Sequence, residues 1–466
     1  MKMDNKKFSP IIGLEVHVEL ATKSKMFCGC PAQHFGKMPN TQTCPVCLGL
    51  PGALPVPNKK AIEWTIMLAL ALDCHINLES HFDRKSYFYP DLPKGYQITQ
   101  YERPFGYEGE VRIRNYELSK TKTILDTARM TKTIRIRRVH LEEDTGKLQH
   151  QDRETLIDFN RSGVPLVEIV TEPDFRSIEE VDQYLKKLQR IIRYIGISNA
   201  DMEKGSMRLE PSISMREMRG MREMGDLPNY RVELKNINSF KFVRKALEYE
   251  IKRQTEALRN GETLKQETRG YDSIKNLTFP QRGKEEAHDY RYFPEPDIPP
   301  IRMSNEQLAI IQSMIPELPD QKCERFQKDY GLSYYQANIL TEEEETADTY
   351  EEIVKEIWKM VENKKSGLDE IIVANLMINK KFDWRKETAQ EVVQRILTSR
   401  RTIAVDEKEL EKIVQKVLAE NSKAVADYKG GKIGVLGFLI CNIRKIFPNI
   451  RPEKIEEVIV KYVQKM

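Results

Sequence analysis

Seven cysteines are spread over 466 residues, and four of them fall close together as Cys28-x-Cys30, thirteen residues, then Cys44-x-x-Cys47. Two close pairs of thiolates can close a tetrahedral cage, the geometry of structural zinc. Pro45 and the glycines flanking both pairs suit knuckle-like turns. The plainer alternative is four small apolar side chains in a loop. Their clustering in a cysteine-poor chain favours zinc, and four protein ligands leave no open position, so the metal would be structural.

A second set is acidic. The stretch IIGLEVHVEL at 11–20 places aliphatic residues at every even position and Glu15, His17 and Glu19 at odd ones. On a strand this buries one face and lines three ionisable groups along the other. Alone, that face reads more readily as the solvated side of an edge strand. Further carboxylates add to it: Glu143 in HLEED, Glu168 in PLVEIV with apolar neighbours on both sides, and Glu210 in MRLEPSISM, where Arg208, Glu210, Ser212 and Ser214 alternate with apolar residues. A carboxylate is costly to bury unless it is paired or bound to a metal. Several strands each delivering one carboxylate to a common face is what a Mg²⁺ and phosphate site requires. The chain contains no Walker loop, no kinase glycine-rich signature and no Gly-x-Ser-x-Gly elbow. For RNA the candidates are Arg135, Arg137 and Arg138, a glycine loop between Lys429 and Lys432, and the aromatic-basic stretch DRKSYFYPDLPKGYQ at 83–97. Solvated arginines and buried tyrosines are the commoner explanation of each.

The elements that must position these groups are visible in outline. Short alternating runs recur at 11–20, 133–141, 167–170, 207–215 and 232–236, with helical spacing at 178–195. Strands and helices do not alternate strictly, which predicts an α+β fold with a largely antiparallel sheet. The proline-dense FPEPDIPP at 293–300 reads as an extended connector. Beyond it the pattern is helical: Ser304 with Gln307 matches a capping box and Asp406 with Glu409 resembles one. Leu410, Ile413, Val414, Val417 and Leu418 form one stripe. A last helix opens at Pro452 with Ile455, Val458, Ile459, Tyr462 and Val463 on one face. The expected division is 1–295, 296–405 and 406–466. Charged residues make up 31% and the net charge is +4, which fits a globular protein and does not by itself announce nucleic-acid binding. The longest greasy run, IMLALAL, is too short to span a bilayer, and the basic N-terminus lacks a signal-peptide core, so a cytosolic protein is expected.

Taken in order, GLEVHVEL, KMFCGC with TCPVCLGLPGALPVPN, DRKSYFYPDLPKGYQITQ, HLEEDTGKL, DFNRSGVPLVEIVTEPDFR, DMEKGSMR, VELKNINSF, QETRGYD and KEEAHDYRYFPEPDIPP resemble the B subunit of the tRNA-dependent amidotransferases. The resemblance covers about 11–300 and continues weakly to the end. It implies a cradle-like α+β domain carrying a zinc loop, a helical domain, and a small helical tail that binds tRNA. It implies ATP- and Mg²⁺-dependent phosphorylation of the carboxylate of mischarged Glu-tRNA or Asp-tRNA. Amidation would follow with ammonia that the amidase partner, the A subunit, releases from glutamine, in a heterotrimer with a small C subunit. Such an enzyme is a cytoplasmic carbon–nitrogen ligase of protein biosynthesis. Carried over by motif, Glu15, His17, Glu143, Glu168 and Glu210 would line the Mg²⁺ site. Lys85, Tyr87, Arg208, Ser212, Asn236 and Ser239 would hold ATP. Glu210 stands where the family usually has Asp, Pro211-Ser212 replaces Ala-Asn, and IFPNIRP replaces the usual tail stretch. A tRNA-holding subunit without chemistry is the alternative. The archaeal paralogue, the E subunit, carries an inserted domain for which this chain has no room.

Overall fold

A computed structural model describes residues 7–114, 131–219, 222–223, 227–283, 290–360, 368–380, 386–400, 407–432, 434–446 and 452–463. The chain forms two compact units that meet at Lys322 and Cys323. Strands in the first unit are β1 (Lys7–Glu19), β2 (His75–Ile76), β3 (Glu79–Ser80), β4 (Asp83–Ser86), β5 (Tyr96–Thr99) and β6 (Gly106–Arg114). They continue with β7 (Thr131–Glu143), β8 (Lys147–His150), β9 (Thr155–Asp158), β10 (Pro165–Thr171), β11 (Met207–Arg219) and β12 (Arg222–Glu223). The last are β13 (Val232–Lys235), β14 (Glu267–Asp272), β15 (Leu277–Gly283), β16 (Phe293–Pro294) and β17 (Ile301–Arg302).

One ten-stranded sheet dominates, in the order β15-β14-β13-β11-β1-β10-β7-β6-β2 with β12 on β11. Its pairings are antiparallel except β13 with β14. Those two are joined through a helix, the connection parallel neighbours need. The fold is therefore the α+β class that the alternation predicted.

Helices cover one face of this sheet. They are α1 (Lys59–Ala71), α2 (Ile178–Tyr194), α3 (Phe240–Arg259) and α4 (Asn305–Ser313). Ile12, Leu14, Val16 and Val18 of β1 enter one core with Ile66 and Leu68 of α1, Tyr184 and Leu188 of α2, and Val243 and Leu247 of α3. Ser177 caps α2 by accepting from the Glu180 amide, and Glu179 and Glu180 sit in its first turn, where acidic groups complement the helix dipole. The capping box at Ser304 and Gln307 is present, and Ile311 joins the first core. The 293–300 stretch is extended only at its ends: β16 opens it and pairs onto β4, residues 296–298 turn back with the Ile298 amide donating to the Glu295 carbonyl, and β17 follows it and pairs onto β3.

The rest of the chain is helical: α5 (Pro319–Tyr330), α6 (Tyr334–Leu340), α7 (Glu344–Met360), α8 (Leu368–Ile378), α9 (Ala389–Arg400), α10 (Glu407–Glu420), α11 (Ser422–Lys429), α12 (Val435–Ile446) and α13 (Pro452–Val463). One apolar cluster runs from Cys323 to Val393, and a separate one from Leu410 to Val463 contains the predicted stripes of α10 and α13. Asp406 of the second capping pair, 284–289 of the KEEAHDY motif and 447–451 of the tail stretch lie outside the described residues. Among the described residues no helix is long and apolar enough to cross a membrane.

Candidate metal centre

Four adjacent strands, β11-β1-β10-β7, carry the acidic set. Glu15 lies opposite Glu210 on one side and Val170 on the other; His17 lies opposite Arg208 and Glu168; Glu168 in turn lies opposite His140. Side chains alternate along each strand, so these groups share the face turned away from the helices. On β7 that face takes Arg138, His140 and Glu142, while Val139 and Leu141 enter the core.

The groups converge. His17 Nε2 is 3.5 Å from Glu168 Oε2 and 3.9 Å from Glu142 Oε1. His140 Nε2 is 3.0 Å from Glu168 and 3.6 Å from Glu142. One ligand atom from each of His17, Glu142 and Glu168 lies within 4.8 Å of the other two. Burial opposes a charge on His17, but Glu168, Glu210 and Glu142 outweigh it and push its pKa up to about 9. The two histidines hold Glu168 well below the usual carboxylate range despite its burial. Glu15 is raised, first by burial and then by repulsion from Glu168, Glu210 and Glu233. Glu210 accepts an ion pair from Lys235, whose Nζ lies 3.1 Å from both Glu210 and Glu233. An imidazole and two buried carboxylates, flanked by two more acids, form a donor set that fits a hard divalent cation.

Glu143 is not brought to this cluster. It follows Glu142 directly, so its side chain leaves by the opposite face. There its carboxylate is 2.6 Å from Lys94 Nζ and accepts the Ile98 amide at 2.9 Å. Lys94, Tyr96 and Glu143 line a cavity of about 220 Å³ together with Cys28 and Cys47. Glu142 is the site residue that sequence reasoning missed. The signal was parity: His140-x-Glu142 shares a face just as Glu15-x-His17 does.

Of the residues expected to hold ATP, Lys85 and Tyr87 stand beside the cluster. The Lys85 ammonium is 5.1 Å from the Tyr290 ring and 5.8 Å from the Tyr87 ring. Burial works against its charge, but Glu142 and Glu168 help to keep its pKa raised. Ser212 lines a groove of about 210 Å³ with Gly13, Glu15, Arg137 and Arg231. Arg137 reaches it because the β7–β10 register shifts between Val170 and Thr171. Arg208 is committed to Asp144, at 2.5 and 3.1 Å. Ser239 caps α3 by accepting the Phe242 amide, and Asn236 is exposed with a left-handed φ of 64°. Neither is gathered into the cluster. Arg135 and Arg137 form exposed ion pairs with Asp174 and Glu172.

The four cysteines also converge, with one sulfur from each within 4.8 Å of the rest. Cys44 and Cys47 Sγ are 3.9 Å apart, and the Cys44 amide donates to Cys47 Sγ at 3.1 Å. A buried lysine, Lys25, donates to the Gln42 and Phe159 carbonyls and lies 3.6 Å from Cys47 Sγ. A hydrogen bond from Cys28 lowers Cys47 to about 4 against its burial, with help from Cys44 and Lys25. Burial raises Cys30 to about 11. Four sulfurs at this spacing, with a cation beside them, suit a structural zinc.

Comparison with known proteins agrees with this geometry. Residues 10–309 match the model of the GatB/GatE catalytic domain, and 338–462 match the GatB domain. The B subunit of the Aspartyl/glutamyl-tRNA(Asn/Gln) amidotransferase of Thermotoga maritima is 43% identical over 98% of this chain and 99% of its own length. That of Thermosipho melanesiensis is 44% identical over 94% of this chain and 95% of its own. That of Thermodesulfovibrio yellowstonii is 43% identical over 98% and 100%. Matched along nearly its whole length, the chain belongs to the GatB/GatE family.

Proposed function

We propose that the face built by β11, β1, β10 and β7 activates the side-chain carboxylate of a mischarged Glu-tRNA or Asp-tRNA. The chain is the B subunit of a glutamine-dependent tRNA amidotransferase, which converts misacylated Asp- or Glu-tRNA to Asn- or Gln-tRNA. The carrying observation is the convergence of His17, Glu142 and Glu168, with Glu15 left short of positive charge.

His17, Glu142 and Glu168 would hold Mg²⁺, with Glu15 and Glu210 next to it. When bound, the cation would offset the charge of the two anions, phosphate and carboxylate, that have to meet. Lys85 adds a cation from the side of β4. The groove along Gly13 and Ser212, edged by Arg137 and Arg231, accommodates ATP phosphates. A carboxylate is a poor acyl donor, because it would have to expel oxide. An acyl phosphate gives ammonia a good leaving group. Glu143 and Lys94 lie across the sheet and serve this face through the placement of the β7 end. The amidase partner supplies the ammonia, the small C subunit completes the heterotrimer, and the tail 406–466 engages tRNA. The cytoplasm, where tRNA is charged, is the expected compartment. Zinc at Cys28, Cys30, Cys44 and Cys47 fastens the loop beside the cavity.

The test uses the assembled amidotransferase and follows ATP cleavage that depends on mischarged tRNA. Glu168→Gln and His17→Ala should abolish it while tRNA binding persists. Cleavage at near wild-type rates in both variants would move the site elsewhere.

A further inference from the structure

Beside the carboxylate cluster the wall is aromatic and cationic. Tyr101, just past β5, stacks on Tyr292 with ring centroids 4.1 Å apart and 11° between planes. Tyr290 meets Tyr292 edge-on at 6.2 Å. Tyr101 is 48% exposed, so the stack is open to solvent. Such a platform accepts another planar ring, and every nucleobase has one to offer.

The cation is Arg138. Its guanidinium lies 5.8 Å from the Tyr101 ring. Its neighbours Arg135 and Arg137 are paired with Asp174 and Glu172, but among the described residues no carboxylate pairs with Arg138. Its Nε is buried and has no hydrogen-bond partner among the described residues. A buried donor left unsatisfied is costly, and an arriving anion offsets that cost. Arg138 precedes His140 by two residues on the same face of β7, a spacing of about 7 Å. Lys85 links the wall to the cluster, since it feels Tyr290 and Tyr292 on one side and Glu142 and Glu168 on the other.

The cluster thus has two flanks. Along β1 and β11 lies a groove where Gly13, Ser212, Arg137 and Arg231 stand among apolar residues; beyond β7 lies a stacking surface with an arginine that pairs with no carboxylate among the described residues. Phosphoryl transfer to a carboxylate needs donor and acceptor to reach the metal from different directions. The groove suits a triphosphate. In an aminoacyl-tRNA, a ribose and an extended side chain separate the reacting carboxylate from the terminal base, so that base must rest a short way from the cluster. We propose that Tyr101, Tyr292 and Arg138 form a subsite for the 3′-terminal adenosine of the aminoacyl-tRNA, with the base on the tyrosine stack and its 5′ phosphate on Arg138. This rests on the reading that the cluster activates a tRNA-borne carboxylate.

The test is a binding cycle on the assembled amidotransferase, using intact tRNA and the same tRNA trimmed of its terminal adenosine. Trimming should weaken binding to the wild type by roughly 10- to 100-fold, the effect of one lost base–aromatic stack. Tyr101→Ala and Arg138→Ala should weaken binding of intact tRNA by a similar factor, yet bind trimmed tRNA as the wild type does. Tyr101→Phe, which keeps the ring, should behave like the wild type. Unchanged melting temperatures would confirm that the variants fold. Equal loss for intact and trimmed tRNA, or no loss for either, overturns the assignment. A raised KM for ATP with unchanged tRNA affinity also overturns it and makes the adenine of ATP the occupant. The cycle reads binding alone, so its outcome stands whether or not the cluster proves to be where ATP is cleaved.

Discussion

Replacing Glu142 with glutamine removes one charge from the cluster and keeps the shape of the side chain. Glu142 Oε1 lies 3.9 Å from His17 Nε2. At about 4 Å, two unit charges interact by about 4 kcal/mol at an effective dielectric of about 20, and a divalent cation doubles this before the water it gives up is counted. Against the burial that disfavours its charge, the carboxylates around His17 raise it from 6.5 to about 9, a net of roughly 3 kcal/mol in favour of a single positive charge. Most of the gross value is repaid as desolvation. The net loss should resemble that of one preorganised electrostatic contact, about 10²–10³-fold in rate. Glu142→Gln should therefore cut tRNA-dependent ATP cleavage by that factor and raise the Mg²⁺ concentration needed for half-maximal rate. Glu143→Gln should behave differently. It leaves the partly buried Lys94 ammonium without its carboxylate, a loss of stability of about 1–3 kcal/mol, with no change in Mg²⁺ dependence where the protein stays folded. The assay is a Mg²⁺ titration of ATP cleavage by the assembled enzyme, with thermal melts of each variant. If Glu142→Gln stays within about threefold of the wild type in rate and half-saturation while Glu143→Gln shifts both, the assignment by strand parity is refuted.

Metal analysis should find about one zinc per chain, and Cys44→Ser with Cys47→Ser should remove it; metal content that survives both changes rules out the cage. The chain free of its amidase partner should release no ammonia from glutamine, since no amidase nucleophile signature appears in it, and ammonia release by the purified chain would contradict the division of labour. Glu250 is fully buried and accepts from Arg253, Gln254 and Thr278. Burial pushes its pKa up, but these partners hold it below the ordinary carboxylate value. A depressed carboxylate adds stability above its unfolded pKa and loses it as pH falls through the folded one. Denaturant melts should accordingly show Glu250→Gln less stable than the wild type at neutral pH, with the gap closing below about pH 4; a gap independent of pH would show that the charge contributes nothing.

The strands that carry the site were legible because each has one greasy and one polar side. In β1, even residues from Ile12 to Val18 are buried while Glu15 and His17 are only partly so. Pro452 and the stripe after it marked α13 for the same reason of period. Two things were not local. The neighbour order β11-β1-β10-β7 depends on pairings between residues up to about 200 positions apart, such as Gly13 with Ser212. The choice between Glu142 and Glu143 depends on how the end of β7 meets β10, where they lie opposite Leu166 and Pro165. In HLEED the parity set by Val139 and Leu141 puts Glu142 on the polar face and Glu143 on the other, provided the alternation runs unbroken to the end of the strand. Lys85 sits on a four-residue strand whose role is set by its partners β5 and β16, which period cannot reveal. Ser239 is expected among the ATP ligands, but its hydroxyl caps α3, a use that Ser-x-x before a helix announces equally well.

The consecutive pair Glu142 and Glu143 ties two environments to one peptide unit. One carboxylate belongs to the acidic face and the other to the cavity beside the cysteine loop, and adjacent Cα atoms are held about 3.8 Å apart by rigid covalent geometry. A shift of the Glu143 backbone therefore carries the Glu142 backbone with it. The end of β7 joins the two faces of the sheet through a single peptide unit. A change at this peptide unit reaches the cavity wall and the acidic face together.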